Sequence, residues 1–159
     1  MDNYKSAIEL IDNYNVIYLN NKSCIHEGIV IHGSPYSPSF HRDLWAFNAD
    51  EGQEIKQQWS KIPSDVNILI THTPVYGILD SLNECAEVGE DPHAGCKDLL
   101  KVIKKRLLKL KLHCSGHIHD NYGVQLKRIS NTRRVLFSNG AVLTNQYKQL
   151  ITNPLIITI

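Results

Sequence analysis

Apolar residues are spaced with two different periods along the chain, and the two periods predict different elements. Short runs rich in β-branched residues occupy positions 28–33 and 66–71 and are typical of buried strands. Residues 54–61 instead carry Ile55 and Trp59 four positions apart, the spacing of one helix face, and Pro63 follows as a stop signal. Residues 95–110 repeat leucine, isoleucine and valine on one face with lysines opposite, which predicts an amphipathic helix of about four turns.

Weaker patterns add elements on either side of these. A short opening helix is predicted over residues 6–13, and a hairpin is predicted between strands at 16–19 and 28–33, with a polar turn at 20–22. Residues 76–93 show no period, and a loop of this length in a compact domain is usually functional or mobile. Further strands are predicted at residues 111–115, 123–126, 134–138 and 154–159. Helices interleaved with strands indicate an α/β fold.

Length and charge narrow the class of protein. The chain has 159 residues and a formal net charge of +1, which fits one globular domain and provides no basic field for a nucleic acid or an anionic membrane. Its apolar runs are shorter than the roughly 18 residues of a membrane-spanning helix, and no secretory leader is visible. We therefore expect a cytoplasmic protein. Its cysteines lack paired spacing and are expected to be reduced and mostly buried; they are Cys24, Cys85, Cys96 and Cys114.

The chemistry is concentrated in the histidines. His117 and His119 flank Ile118, and on an extended backbone residues two apart lie on the same side, roughly 7 Å apart. Gly116 precedes them and allows a tight turn. His72 follows a different predicted strand, and the carboxyl ends of neighbouring strands in an α/β sheet line one crevice. The three imidazoles can therefore meet, and neutral imidazole is a good ligand for Zn, Fe or Mn.

Other interpretations of these residues remain open. The three histidines could instead be separate loop residues that bind water or backbone groups. The remaining histidines have no paired spacing and are interpreted as structural or solvated; they are His26, His32, His41, His93 and His113. Ser34 has no Gly-x-Ser-x-Gly context, and Cys114 has no identifiable base, so nucleophilic catalysis has little support. No nucleotide-binding glycine loop is present in the sequence.

Several motifs taken together resemble the calcineurin-like metallophosphoesterases, and most closely their metallophosphoesterase-domain-containing, UPF-type branch. The resemblance covers residues 16–159. The motifs that carry it are Gly-Ser-Pro at 33–35, Trp-Ala-Phe-Asn at 45–48, Ile-Thr-His-Thr-Pro at 70–74, the helix at 96–111 with its Leu-His exit, and Gly-His-Ile-His at 116–119 with Asp120 and Tyr-Gly at 122–123.

The resemblance implies a fold and an activity. The family fold is a β-sandwich flanked by helices, a four-layer αββα arrangement. Two metal ions at the strand ends activate a bridging hydroxide, which attacks a phosphodiester or phosphomonoester. Carried over by motif, His72 and His117 would bind one metal ion and His119 the other. The implied cofactor is a divalent transition metal, Mn, Fe or Zn, and the implied ligand is a phosphoester or nucleotide.

The sequence departs from the family upstream of these motifs. Upstream of the Gly-Ser-Pro motif it contains no Asp-x-His, Gly-Asp-x-x-Asp or Gly-Asn-His-Glu, the motifs that in the family supply the remaining metal ligands, the bridging carboxylate and the histidine that protonates the leaving group. The catalytic residue is therefore unknown. We expect residues 1–159 to be one N-terminally truncated domain, the C-terminal half of the fold. Three imidazoles support at most one well-held metal ion, so the isolated chain is expected to be inactive.

Two alternatives follow from this departure. The missing half could be supplied in trans by a split gene, or recovered from a misplaced start codon, and the assembled protein would then be an ordinary phosphoesterase. Alternatively, the chain could be a non-catalytic module that binds a nucleotide or a protein. Its expected partners are a small phosphoester, a separate N-terminal half or a second copy of the chain, and neither nucleic acid nor a membrane. Arg42 and Asn139 lie near the predicted crevice without an assigned role.

Overall fold

Helices alternate with strands between residues 48 and 115, and strands precede and follow this region. The computed structural model describes residues 9–11, 13–14, 16–39, 46–83, 85, 89–143, 150 and 154–158. The helices are α1 (Gln53–Ser60) and α2 (Lys97–Lys105), and a 3₁₀ turn covers His119–Asn121. The strands are β1 (Lys22–His26), β2 (Ile29–Ser34), β3 (Ser37–Pro38), β4 (Asn48–Ala49), β5 (Ile68–Thr71), β6 (Leu112–Ser115), β7 (Gly123–Arg128) and β8 (Arg134–Asn139).

Six of the strands form one mixed sheet in the order β1-β2-β5-β6-β8-β7. The four central strands are parallel, and the edge strands β1 and β7 pair antiparallel with their neighbours. Both helical crossovers, β2 to β5 and β5 to β6, advance the sheet in the same direction, so right-handed connections place α1 and α2 on one face. The two helices also contact each other. This arrangement confirms the predicted α/β class, with helices packed on a sheet.

The core lies between the helices and that face of the sheet. Ile55 and Trp59 of α1 are fully buried, as their spacing predicted. Leu99 and Ile103 of α2 are also fully buried. A row across the sheet supplies the opposite wall, with side chains that are almost inaccessible to water; it contains His32, Leu69, His113 and Phe137.

Helix α2 is shorter than the sequence pattern suggested. The prediction of a helix over residues 95–110 was wrong at both ends, since α2 begins after its N-cap Cys96 and ends at Lys105. The periodic apolar residues beyond that point, Leu107 and Leu110, are buried, although the chain there forms turns. Apolar side chains are therefore buried beyond the end of the helix, and the apolar pattern alone could not distinguish helical residues from buried residues in the turns that follow.

Other expectations need correction or lie outside the described residues. Residues 16–19 and 154–158 are not strands. The hairpin is present, but its first strand is β1, and Glu27 and Gly28 form its turn with positive φ angles of 49° and 78°. All four cysteines are free thiols as predicted, but only Cys96 is buried. His41, Arg42 and most of the opening helix are not among the described residues. No helix in the described part of the chain is long and apolar enough to cross a membrane.

Candidate functional site

The candidate site lies where the parallel strands end. His72 directly follows Thr71, the last residue of β5, and the Gly-His-Ile-His segment directly follows β6. The amide of Gly116 donates a hydrogen bond to the carbonyl of His72 at 3.1 Å, which joins the two segments. This is the sheet edge at which the sequence placed a crevice.

The structure brings the three predicted site residues to one cavity. The ring centroids of His72 and His117 are 4.6 Å apart, with the ring planes at 48°. His119 lines the same cavity, which has a volume of about 540 Å³. Its other walls include Ser37 and Asn48 of the short parallel pair formed by β3 and β4. The predicted convergence of these three histidines is therefore present.

The backbone achieves this convergence by a different route from the predicted one. We expected an extended backbone at residues 117–119, beyond the strand predicted at 111–115, and β6 does end at Ser115. His117 instead adopts a left-handed conformation with a φ of 70°, and His119 opens the 3₁₀ turn. A residue with a side chain at positive φ costs on the order of 1 kcal/mol or more and persists only where its surroundings hold it.

Asn139 is one of the residues that hold this segment. Its side-chain amide is completely buried at the end of β8 and donates to the carbonyls of Ile118, at 2.8 Å, and of Leu79, at 3.1 Å. Its side-chain oxygen accepts a hydrogen bond from the amide of Ala141 at 3.0 Å. Asn139 therefore fastens the histidine segment to the loop after β5, a positioning role that the sequence did not reveal.

The site favours neutral imidazoles. Burial lowers the pKa of His117 to about 4, and the neighbouring rings of His72 and His119 add to this effect. His72 is exposed as a residue, but packing around its ring also lowers its pKa. A metal ion binds the neutral form of histidine, so these rings need not release a proton to a metal at neutral pH.

His119 is oriented by the backbone. Its Nδ1 lies 2.8 Å from the carbonyl oxygen of Leu143, which can only accept, so Nδ1 carries a proton and a metal ion would have to bind through Nε2. Metal-binding histidines in proteins are commonly held in this way, with one ring nitrogen donating to a carbonyl or a carboxylate.

A second layer of polar groups lies under the site. The buried hydroxyl of Thr71 donates to the carbonyl of Thr73 at 2.6 Å and lies 2.8 Å from Nε2 of His113, which must therefore be the donor of that pair. Burial lowers the pKa of His113 to about 3. His113 is thus a neutral structural residue, consistent with its lack of paired spacing.

The histidine side chains are suitable ligands for a transition metal ion, but there are too few of them to complete its coordination. Among the described residues, no three His, Cys, Asp or Glu side chains are grouped closely enough to hold one metal ion. The division implied by the family resemblance, with His72 and His117 on one ion and His119 on the other, does not require such a group. Each ion would then need further ligands besides those the described histidines provide.

Curated proteins from several animals are similar in sequence to most of this chain. The human metallophosphoesterase domain-containing protein 1 is 34% identical over 156 residues, which is 98% of this chain and 43% of that protein. A UPF0046 protein of Caenorhabditis elegans is 39% identical over 118 residues, 74% of this chain and 27% of that protein. The chain belongs to the metallophosphoesterase domain-containing, UPF0046 family. No model of a protein family matches it.

The chain spans less than half the length of these curated relatives. A solved crystal structure has the same fold, with a TM-score of 0.58 and 19% identity over 86% of this chain and 51% of that one. Both comparisons therefore match this chain to a part of a larger protein.

The sequence did not reveal one pair of polar residues near the site, His93 and Asp80. His93 was interpreted as structural or solvated, yet its ring lies 2.8 Å from the buried carboxylate of Asp80. The two residues are thirteen positions apart in a loop without periodicity, so no spacing rule could have paired them. Of the other histidines, His26 is exposed on β1 and His32 is buried in the core.

Proposed function

We propose that this chain contributes the histidine side of a metal-dependent phosphoesterase. The observation that carries the proposal is the convergence of His72, His117 and His119 on one cavity in a chain of this family. When bound, Mn, Fe or Zn would supply Lewis acidity and an activated water for attack on phosphorus. The chain's own part is to present neutral imidazoles, with His72 and His117 serving one ion and His119 the other.

The remaining metal ligands would come from another stretch of polypeptide. A dinuclear centre needs carboxylates between two cations a few ångströms apart, because otherwise the cations repel each other. We propose that these 159 residues form one domain of the C-terminal part of the fold, hold at most one metal ion and do not turn over substrate alone. The complement would be a separate N-terminal half, a longer form of this chain or a second copy.

The proposed substrate is a small phosphoester or a nucleotide in the cytoplasm. A net charge of +1 provides no extended basic surface for a nucleic acid or a membrane. A cavity of about 540 Å³ has the volume of a small-molecule site.

Metal content and turnover measured together test this function. The purified chain is loaded with Mn²⁺, desalted and analysed by plasma mass spectrometry, and hydrolysis of bis(p-nitrophenyl) phosphate is followed in parallel. We expect about one ion per chain or less, reduced by His119→Ala or His72→Ala and unaffected by His26→Ala, which removes an exposed histidine from β1. Hydrolysis is expected to be absent.

Two results would contradict parts of the proposal. Binding of Mn²⁺ that is identical in the wild type and in a His72→Ala, His117→Ala, His119→Ala triple variant would remove the metal role. About two ions per chain with turnover that is lost in His119→Ala would show that the chain is a complete enzyme, contrary to the inactivity proposed here.

A non-catalytic binding module is the second candidate function. It is favoured by the lack of a three-ligand metal group among the described residues. This candidate predicts that a nucleotide raises the melting temperature in the presence of EDTA, because ligands that bind only the folded state stabilise it. An unchanged melting temperature at millimolar nucleotide would count against it.

A further inference from the structure

A second cavity adjoins the histidine site and contains charges that the metal role does not use. Its volume is about 420 Å³, and His117 and His119 line both this cavity and the first one. His93, Lys97 and Glu51 line it, whereas His72 does not. The second cavity therefore shares the histidine segment with the first cavity but not His72.

His93 is held in one orientation at this cavity. Nδ1 of His93 lies 2.8 Å from Oδ1 of Asp80, and the Asp80 side chain is only 1% exposed while that of His93 is 35% exposed. A carboxylate accepts, so Nδ1 carries a proton and Nε2 is the nitrogen left for a ligand. When the ring is doubly protonated, Nε2–H is a charged donor.

Asp80 is itself fixed by the backbone. Its Oδ2 accepts hydrogen bonds from the amides of Gly77, at 3.0 Å, and Gly95, at 2.9 Å. A Cβ at position 95 would lie 2.7 Å from that oxygen and 2.4 Å from the carbonyl of Val75, so glycine is required there. A buried carboxylate with this many partners gives His93 a defined direction, as a carboxylate does for functional histidines generally.

The charges around His93 are mixed in sign. Lys97 lies at the start of α2, with its ammonium 4.6 Å from the ring centre of Tyr76, and that ring is 5.1 Å from the His93 ring. Asp91 accepts from the Tyr76 hydroxyl at 2.9 Å and from the His93 amide at 3.0 Å. Glu51 is an exposed acidic residue at the same cavity. An anion placed there would contact the Lys97 ammonium and, when the His93 ring carries its second proton, Nε2–H of His93, and it would be repelled by Glu51.

We propose that this second cavity is an anion subsite in which the His93 imidazole and the Lys97 ammonium bind phosphoryl oxygens of the substrate. The inference rests on the proposed phosphoesterase function, since the histidines of that site form the shared wall. Asp80 is a positioning residue, because it acts only through His93. The ligand class is a phosphate ester, and inorganic phosphate is the smallest probe of it.

Phosphate binding to metal-free protein tests the subsite independently of the metal. The full chain in EDTA is titrated with inorganic phosphate while the histidine ring nitrogens are followed by ¹H–¹⁵N correlation spectra. We expect a saturable shift at Nε2 of His93, with Nδ1 remaining protonated. His93→Asn and Lys97→Met should each weaken phosphate affinity about tenfold, since each removes one charge-assisted hydrogen bond.

Matched variants separate this role from a structural one. His26→Asn removes an exposed histidine on β1 and should leave phosphate affinity unchanged. Glu51→Gln removes the opposing charge and should strengthen binding, a result that no loss of structure would produce. Lys97→Met changes an exposed side chain, so it keeps the test valid if His93→Asn lowers the melting temperature.

The possible results distinguish failure of the anion subsite from failure of the proposed metal role. The absence of a phosphate-dependent shift at His93, or equal affinities in the wild type, His93→Asn and Lys97→Met, would overturn the subsite even if the chain binds Mn²⁺. Phosphate binding at His93 in a chain whose Mn²⁺ binding is the same in the wild type and in the His72→Ala, His117→Ala, His119→Ala triple variant would support the subsite while the proposed metal role fails.

Discussion

At the scale of single residues, the cost of placing imidazoles away from water determines how the chain responds to pH. His113 is fully buried beside Thr71, and His32 is buried with its Nδ1 on the hydroxyl of Ser23 at 2.8 Å. Burial lowers the pKa of both histidines, to about 3 for His113. Such a ring stays neutral in the folded protein at a pH where the unfolded chain takes up a proton.

The free energy of unfolding should therefore fall as the solution is acidified. Between pH 6.5 and about 3 the unfolded state binds a proton that folded His113 does not, which lowers stability by up to about 1.4 kcal/mol per pH unit. Above pH 6.5 both states are neutral and the effect disappears. His113→Gln should reduce this slope by up to one proton, as measured by urea unfolding at several pH values between 4 and 8.

The comparison of slopes isolates one histidine. His26→Gln, on the exposed face of β1, should keep the wild-type slope, and carboxylates contribute equally to all three proteins. A slope in His113→Gln equal to that of the wild type would show that His113 is not neutral when folded.

The sequence predicted which histidines meet at the cavity, but it did not predict the backbone conformation that brings them there. His72, His117 and His119 could be found because a strand end and a two-residue spacing are local signals. The left-handed backbone at His117 could not, since the segment is held by Asn139, which is at least twenty residues away along the chain from each histidine. The pairing of His93 with Asp80 likewise depends on how a loop folds back on itself.

At the scale of elements, arginines fasten the ends of both helices. Arg106 donates to the carbonyls of Trp59 and Ile62 at the end of α1, the latter at 2.6 Å. Arg133, from the connection between β7 and β8, donates to the carbonyls of Ile103, at 2.8 Å, and Leu107, at 2.7 Å. Carbonyls in the last turn of a helix lack partners within the helix, and a cation there also complements the helix dipole. These contacts satisfy carbonyls at and just beyond the end of α2, where the apolar pattern continues.

Arg133→Met should lower the free energy of unfolding by about 1–3 kcal/mol, because it leaves two carbonyls without their charged donor while keeping an apolar stem. Arg134→Met is the matched control. Arg134 is the neighbouring residue and is exposed at the start of β8, so its substitution should change stability by less than about 0.5 kcal/mol. Chemical denaturation of the three proteins compares them directly, and equal destabilisation by the two substitutions would contradict the capping role.

At the scale of the whole molecule, the two faces of the sheet differ. The helices cover one face, whereas the opposite face carries Ile70, Val124 and Leu126 with exposed fractions of 43%, 42% and 55%. Strand register places Ile70 and Val124 in one row across the sheet, with Leu126 in the next row on the same side. Cys114 and Ser138 lie between Ile70 and Val124 in that row. Exposed apolar side chains on a sheet face can mark a contact surface, and the curated relatives have more than half of their length outside the matched region.

The apolar face should make the isolated chain bind hydrophobic dyes and self-associate. Replacing Ile70, Val124 and Leu126 together with threonine keeps β-branched or strand-compatible residues on half-exposed positions. We expect lower fluorescence of bound 8-anilinonaphthalene-1-sulfonate and a smaller sedimentation coefficient at high protein concentration. Leu108→Thr, an exposed leucine outside the sheet that is 65% exposed, should leave both unchanged. Equal dye binding by the triple variant and the wild type would show that water-facing apolar surface elsewhere dominates, because removal of these three side chains deletes the most exposed apolar groups of this face.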